Sequence, residues 1–195
     1  MDKETLGYYN KKASNFFDNT VDVNFTKIQD KFLSYLKPGT KILDFGCGSG
    51  RDTRYFLDKN YKVEAFDGSE EMCRLASDYT GIPVKHMFFN DFTEVDKYQG
   101  IWACSSILHL PYEELKEVFI KIARGLKDKG ILYTSFKEGS YEGFRNGRYF
   151  TDLTEDKLTE LVEETKVFEI IELWITRDVR PGRDERWLNV IMRKK

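Results

Sequence analysis

The sequence predicts a doubly wound α/β protein, with one mostly parallel sheet of seven strands that ends in an antiparallel hairpin. Three observations predict it. Short runs rich in β-branched and aromatic residues alternate with helical patterns, which is the signature of crossover units on a parallel sheet. The first of these runs, Lys41–Phe45, passes directly into a glycine-rich turn. The C-terminal end instead holds two long strand-like runs, Val167–Thr176 and Trp187–Arg193, joined by the turn-rich segment Asp178–Arg186.

Taken in order, Phe25, Ile28, Phe32 and Leu36 recur at helical spacing and stop before Pro38-Gly39. The five parallel strands are expected at Lys41–Phe45, Lys62–Phe66, Val84–Phe88, Ile101–Ser105 and Ile131–Phe136. Ser69 followed by Glu70 and Glu71 opens a helix, because a serine caps the free N–H groups and acidic side chains favour the positive end of the dipole. Glu113–Leu126 puts Leu115, Val118, Phe119, Ile122 and Leu126 on one face and starts just after Pro111. Asp152 with Glu155 three residues on reads as a capping box for a helix through Leu158, Leu161 and Val162. No repeat, low-complexity tract or linker divides the chain. One domain over residues 1–195 is expected, with a helical lid region at 1–37 and the sheet core at 38–195.

The 195 residues carry 31 Lys+Arg against 33 Asp+Glu, a net charge of −2, and 41% are apolar. That balance argues against gripping long nucleic acid through a large basic face. No apolar run approaches the roughly 20 residues that span a bilayer, and MDKETLGYYNKK has no apolar signal core, so a cytoplasmic protein without a membrane partner is expected. Cys47, Cys73 and Cys104 show neither a disulfide framework nor a CxxC site. With two histidines, His86 and His109, and no HExxH motif, no metal is expected. Fifteen Phe and eleven Tyr can fill a core or line a pocket for a flat or cationic ligand.

The strongest local signal is Ile42-Leu43-Asp44-Phe45-Gly46-Cys47-Gly48-Ser49-Gly50-Arg51, a strand running into a glycine turn and then a helix. Such glycines let a ligand approach the backbone. A dinucleotide fingerprint counted from Gly46 would need a sixth-position glycine where Arg51 stands, and the Lys-Ser/Thr pair of a Walker loop is absent. An acidic residue two positions before the first glycine suits a cationic ligand better than a pyrophosphate. Asp44-Phe45-Gly46-Cys47-Gly48-Ser49-Gly50 resembles the first motif of class I S-adenosylmethionine-dependent methyltransferases, whose fold is a Rossmann-like seven-stranded sheet. Within that class the chain is most similar to small bacterial enzymes of the tellurite-resistance type.

The resemblance implies S-adenosyl-L-methionine as cofactor. It places the methionine end against Gly46, Cys47, Gly48, Gly50 and Arg51, with Asp44 supporting the turn. Asp67, seventeen residues after Gly50, would accept hydrogen bonds from both ribose hydroxyls, beside Gly68, Ser69 and Met72. In Asn90-Asp91-Phe92, Asp91 would take the adenine amino group and Phe92 offer its backbone or ring face; the alternative is a solvated loop. Ala103, Cys104 and Ser105, ending the fourth strand, would set backbone groups against the methionine moiety. Tyr8-Tyr9-Asn10-Lys11-Lys12-Ala13 is similar to the lid that covers the cofactor in related enzymes, where a tyrosine caps the sulfonium or bonds the carboxylate of the methionine part, with Tyr9 as the expected cofactor contact; packing of an amphipathic helix is the alternative.

The expected reaction is direct displacement of the methyl group onto a small acceptor. Cys104-Ser105-Ser106-Ile107 contains neither the Asn/Asp-Pro-Pro-aromatic motif of exocyclic-amine enzymes nor a Pro-Cys nucleophile, so Cys104 reads as a buried thiol. His109 stands where an acceptor could be deprotonated, or it hydrogen-bonds structurally at a helix entry. If the sixth strand is parallel to the others, its turn shares an edge with Lys137–Phe150, and Arg145, Arg148, Arg180, Arg183 and Arg186 form a positive rim favouring an anionic acceptor. The alternative is that these arginines are solvated or pair with Glu142, Asp178, Asp184 and Glu185. Tyr8, His109, Arg148, Tyr149, Arg180 and Arg183 are the expected acceptor contacts. Two other functions stay open: a non-catalytic cofactor-binding partner subunit, and an NAD(P)-dependent oxidoreductase. The sequence is compatible with a monomer or a homodimer.

Overall fold

The computed structural model describes residues 2–180 and 182–195. Residue 1, at the head of the expected lid region, and residue 181, within the expected turn, lie outside the described residues. Two helices, α1 (Lys3–Lys11) and α2 (Ala13–Asp18), precede α3 (Thr26–Leu33). Strand β1 (Lys41–Phe45), helix α4 (Arg51–Asp58), strand β2 (Lys62–Asp67), helix α5 (Glu70–Thr80) and strand β3 (Val84–His86) follow. Then come β4 (Tyr98–Ala103), α6 (Tyr112–Gly125) and β5 (Leu126–Lys137). A small hairpin of β6 (Glu142–Arg145) and β7 (Arg148–Thr151), then α7 (Glu155–Thr165), β8 (Phe168–Arg177) and β9 (Arg186–Lys194), complete the chain.

The main sheet runs β3-β2-β1-β4-β5-β9-β8. Its first five strands pair in parallel, and β9 is antiparallel to both β5 and β8. Strand β8 therefore runs with β5, and the β8–β9 turn falls at the carboxyl edge, as the hairpin predicts.

Alternation along the strands sends side chains into two layers. Ile42, Trp102, Tyr133 and Ile191 face Ile28, Phe32 and Leu33 of α3 and Phe56 of α4. Leu43, Phe45, Ile101 and Leu132 face Leu115, Val118, Phe119 and Ile122 of α6 and Leu158 and Leu161 of α7. Each such side chain, fully buried, contributes roughly 1.5–3 kcal/mol. Trp102 stacks on Tyr133 with ring centroids 4.0 Å apart, at the middle of the first layer.

Several boundaries differ from the sequence reading. Helix α3 ends at Leu33, and the chain tightens through Tyr35 N–H to Phe32 O and Leu36 N–H to Leu33 O before Pro38. Strand β3 stops at His86, because a short 3-10 turn over Phe89–Asp91 takes the chain off the sheet. Strand β4 ends at Ala103, since Ser105 adopts φ 50° and turns the backbone away. The cap of α7 is Thr154, whose Oγ1 accepts from Lys157 N–H at 3.2 Å, and Asp152 pairs with Arg145 instead. Phe92 is a core residue: its ring lies 5.2 Å from that of Phe45, and a Cβ on Gly125 would come within 2.6 Å of it. Truncating Phe92 to alanine should therefore cost about 3–5 kcal/mol in urea unfolding, in line with other buried Phe→Ala changes; a variant as stable as wild type would place Phe92 on the surface.

Candidate active site at the carboxyl edge

The strand order reverses between β1 and β4, and ligands of open α/β sheets bind beyond the carboxyl ends of the strands at such a point. A cavity of about 440 Å³ opens there. Its floor is the turn Gly46–Ser49 with Asp67, Met72 and Phe89, and its roof is Tyr8, Tyr9 and Phe16. The far wall includes Ser135, Lys137, Arg148, Phe150, Trp187 and Asn189.

Two glycines shape the floor. Gly46 sits at φ 83°, and a Cβ there would lie 2.6 Å from the Ser106 Cβ, so no other residue fits without moving the segment that follows β4. The N–H groups of Gly46 and Cys47 both donate to Phe66 O, at 3.1 and 3.0 Å. Gly48, at φ 53°, donates its N–H to Asp67 Oδ2 at 2.9 Å. Asp67 Oδ1 accepts from Ser69 N–H at 2.9 Å. A carboxylate has about four acceptor positions, so two remain for hydroxyl groups. Burial pushes the Asp67 carboxyl above its ordinary value, against the backbone N–H groups of Ser69 and Gly48.

Asp44 lies behind the turn, 1% exposed, and accepts from Thr53 Oγ1 at 2.6 Å. Burial and the neighbouring Asp52 push its carboxyl up to about 8. It supports the turn and does not line the cavity. Gly50 likewise serves packing, since a Cβ there would meet Thr80 at 2.8 Å. Arg51 does line the cavity, but its guanidinium donates to Asp52 through Nε at 2.8 Å and Nη2 at 2.9 Å. Asp52 also accepts from Gln29 Nε2 and Trp102 Nε1.

The expected cofactor contacts divide. Tyr9, Gly46, Cys47, Gly48, Arg51, Asp67, Met72, Cys104 and Ser105 line the cavity. Gly68, Ser69, Ala103, Asp91 and Phe92 stand outside its lining. Ser69 caps α5 through Met72 N–H and donates to Asn10 Oδ1. Asp91 is exposed at the end of the 3-10 turn. Phe16, Phe25, Phe89, Lys137, Phe150, Trp187 and Asn189 line the cavity without having been expected; no motif marks them, because they arrive from six separate places along the chain. Burial raises the Cys104 thiol to about 12, in keeping with an inert sulfur.

The arginine rim is real in position and mostly paired. Arg145, Arg148, Arg180 and Arg183 line the cavity, and Arg186 does not. Arg180 Nε donates to Asp178 Oδ1 at 2.9 Å, and Arg183 lies 3.9 Å from Glu185. Arg186 pairs with Glu138, and Arg145 with Asp152. Among the described residues, Arg148 alone of the five has no carboxylate partner. Seven lining side chains are Lys or Arg and four are Asp or Glu. The Tyr149 ring turns away, its hydroxyl donating to Glu142 at 2.8 Å.

His109 is 3% exposed and held from both sides. Its Nδ1 lies 2.6 Å from Tyr149 O, and since a carbonyl only accepts, Nδ1 carries the proton. Nε2 then accepts from Tyr9 Oη–H at 2.8 Å. Burial, helped by Arg148 and Lys137, lowers the His109 pKa to about 4. A histidine in the unfolded chain titrates near 6.5. Between these values the unfolded chain binds the extra proton, so the stability His109 provides is complete above about pH 6.5 and is lost as pH falls towards 4. The loss amounts to about 3 kcal/mol. His109→Asn should flatten the stability profile across that window when wild type and variant are unfolded in urea at a series of pH values; parallel profiles would contradict a buried neutral imidazole.

Comparison with known proteins places this geometry. Residues 42–130 match the model of a methyltransferase domain family. An uncharacterized methyltransferase of Staphylococcus carnosus is 27% identical over 165 residues, covering 77% of this chain and 80% of that protein. The fold is similar to that of 1,6-didemethyltoxoflavin-N1-methyltransferase from Burkholderia thailandensis, solved with bound 1,6-didemethyltoxoflavin and S-adenosylhomocysteine. Its TM-score is 0.82 at 20% identity, over 98% of this chain and 88% of that one. Magnesium protoporphyrin IX methyltransferase from Synechocystis, solved with S-adenosylhomocysteine, gives 0.75 at 18% identity over the full length of both chains. Residues 42–130 thus match a methyltransferase domain, and the chain shares the Rossmann-like fold of methyltransferases solved with S-adenosylhomocysteine.

Proposed function

We propose that one half of the cavity holds S-adenosylmethionine and the other a small anionic acceptor. The observation that carries this reading is a single continuous cavity joining the Gly48–Asp67 cradle to the cationic wall at Arg148 and Lys137, the latter 3.2 Å from Glu185. Gly48 is tightly spaced on this side, since a Cβ would lie 3.3 Å from the Phe16 ring, and Asp67 keeps two acceptor positions for the ribose hydroxyls. Those features fit the cofactor. Once bound, it supplies an electrophilic methyl group on a sulfonium.

The chain's own residues do the rest. Asp67 orients the ribose, and the Gly46–Ser49 turn lets the methionine end lie against backbone. Tyr9 and Phe16, edge to face at 5.1 Å, close over a cationic sulfur and exclude water. Met72 and Phe89 take the place expected for Asp91 and Phe92 beside the base. Arg148 and Lys137 attract and orient the acceptor, which is the alignment that displacement needs. The neutral His109 is in place to receive a proton from it. The likeness to tellurite-resistance enzymes adds no acceptor to this reading. An NAD(P) enzyme fits less well, because Arg51 occupies the position of the third glycine. A cytoplasmic setting agrees with the free thiols of Cys47, Cys73 and Cys104, and no helix among the described residues is long and apolar enough to cross a membrane.

Calorimetric titration should give micromolar binding of S-adenosylmethionine and S-adenosylhomocysteine and none of NAD. Asp67→Ala removes two charge-assisted hydrogen bonds and should weaken binding about 100-fold or more. Wild-type affinity in that variant, or tight NAD binding, would contradict the proposal. Deleting residues 1–18 removes the roof and should weaken cofactor binding about tenfold; unchanged affinity would make α1 and α2 packing elements only.

A further inference from the structure

We propose that the space between Arg148 and His109 is a receptor for a weakly acidic hydroxyl group on an aromatic or enolic acceptor, and that the Tyr9 hydroxyl occupies it in the free protein. This rests on the division of the cavity proposed above. The Tyr9 oxygen makes two contacts of opposite sense. It donates to His109 Nε2 at 2.8 Å and accepts from Arg148 Nη1 at 3.3 Å. Nδ1 of His109 is committed to Tyr149 O, so Nε2 can only accept while the ring is neutral. The charged groups that face the imidazole, Arg148 and Lys137, are both cationic and act with burial to keep it neutral.

A group that replaces Tyr9 here must donate one proton and accept one from a guanidinium. An ammonium is repelled by Arg148 and has no lone pair to offer it. A carboxylate has no proton for Nε2 and would set its lone pairs against that of the imidazole. An amide N–H accepts nothing, and a thiol accepts weakly. A neutral amine that accepted from Arg148 would have no lone pair left for displacement. A hydroxyl does both and keeps a second lone pair free.

The surroundings select among hydroxyls. The Arg148 guanidinium lies 4.6 Å from the centre of the Tyr8 ring and 5.0 Å from that of Phe150, within a wall of flat aromatic faces. Arg148 Nη1 keeps its place beside that oxygen without a carboxylate to neutralise it among the described residues. As the hydroxyl proton moves to Nε2, the electron pair stays on oxygen beside Arg148. That stabilisation is greatest for phenols and enols, whose anions form most readily. Tyr9, itself a phenol, is then a resident mimic that the acceptor displaces.

4-Nitrophenol, whose absorbance reports its ionisation, serves as the probe, with nitrobenzene as the control lacking the hydroxyl. Tyr9→Phe removes the competing hydroxyl and should bind 4-nitrophenol about tenfold more tightly than wild type, with a larger phenolate fraction than in buffer at the same pH. Adding Arg148→Met to Tyr9→Phe should abolish both effects, and nitrobenzene should bind neither protein. Equal binding with and without Arg148, equal binding of nitrobenzene, or no 4-nitrophenol binding by a Tyr9→Phe protein of wild-type stability would overturn the proposal. S-adenosylhomocysteine affinity, titrated on the same samples, separates the two readings. Its absence would defeat the cofactor assignment while leaving the hydroxyl result to stand or fall alone.

Discussion

The carboxyl edge of this sheet is organised by one left-handed turn, Gly46 to Gly48, pressed against the end of the neighbouring strand. At φ 83° and with 2.6 Å between a Cβ on Gly46 and Ser106, the chain can pass only as glycine. Once it does, three strand ends are tied together. Gly46 and Cys47 donate to Phe66 O on β2, Ser106 Oγ donates to Phe45 O on β1, and Gly48 donates to Asp67. The carboxylate of Asp67 is fixed by the same bonds that fix the turn, so the floor of the cavity is set before any ligand arrives.

The roof and the far wall form a second hydrogen-bonded assembly. Tyr149 N–H donates to Thr5 Oγ1 of α1, Tyr149 O accepts from His109, and Thr151 Oγ1 donates to Leu110 O. The β6–β7 hairpin thereby joins the N-terminal helix to the segment after β4. Through it the tautomer of His109 is coupled to the placing of Tyr9 and Arg148. Beneath, the buried carboxylate of Asp52 collects Arg51, Gln29 and Trp102 and so connects α3, α4 and β4. Its charge is matched by Arg51, and of Arg145, Arg148, Arg180, Arg183 and Arg186 only Arg148 has no carboxylate partner among the described residues.

What could be read in the sequence follows from range. Strands β1, β2, β8 and β9, the helix α6 and the glycine turn are local patterns, and each appears close to where its residues placed it, whereas β5 begins at Leu126, ahead of the expected Ile131. Asp67 was legible because it ends a strand that must lie beside the turn. Phe92 was not, since the choice between a loop face and the core depends on Gly125, a residue far along the chain that leaves room for the ring. Asp152 looked like a cap because its spacing to Glu155 is right, yet Thr154 sits nearer and Arg145 claims the carboxylate. The β6–β7 hairpin had a legible signal that the sequence reading passed over: Asn146-Gly147, both at positive φ, is a two-residue hairpin turn. Without that hairpin, the docking of Tyr149 O on His109 and the isolation of Arg148 could not be foreseen.

If the cavity holds the cofactor, the Gly46–Gly48 turn and the Tyr9–Phe16 roof close on the same ligand. Hydrogen exchange measured by residue, with and without S-adenosylhomocysteine, tests it most directly, because amide opening reports local closure. Slowed exchange should appear together in residues 46–51 and in α1 and α2, with the β4–β5 core unchanged. Protection confined to any other part of the chain, or no protection at the turn under saturating ligand, would contradict it.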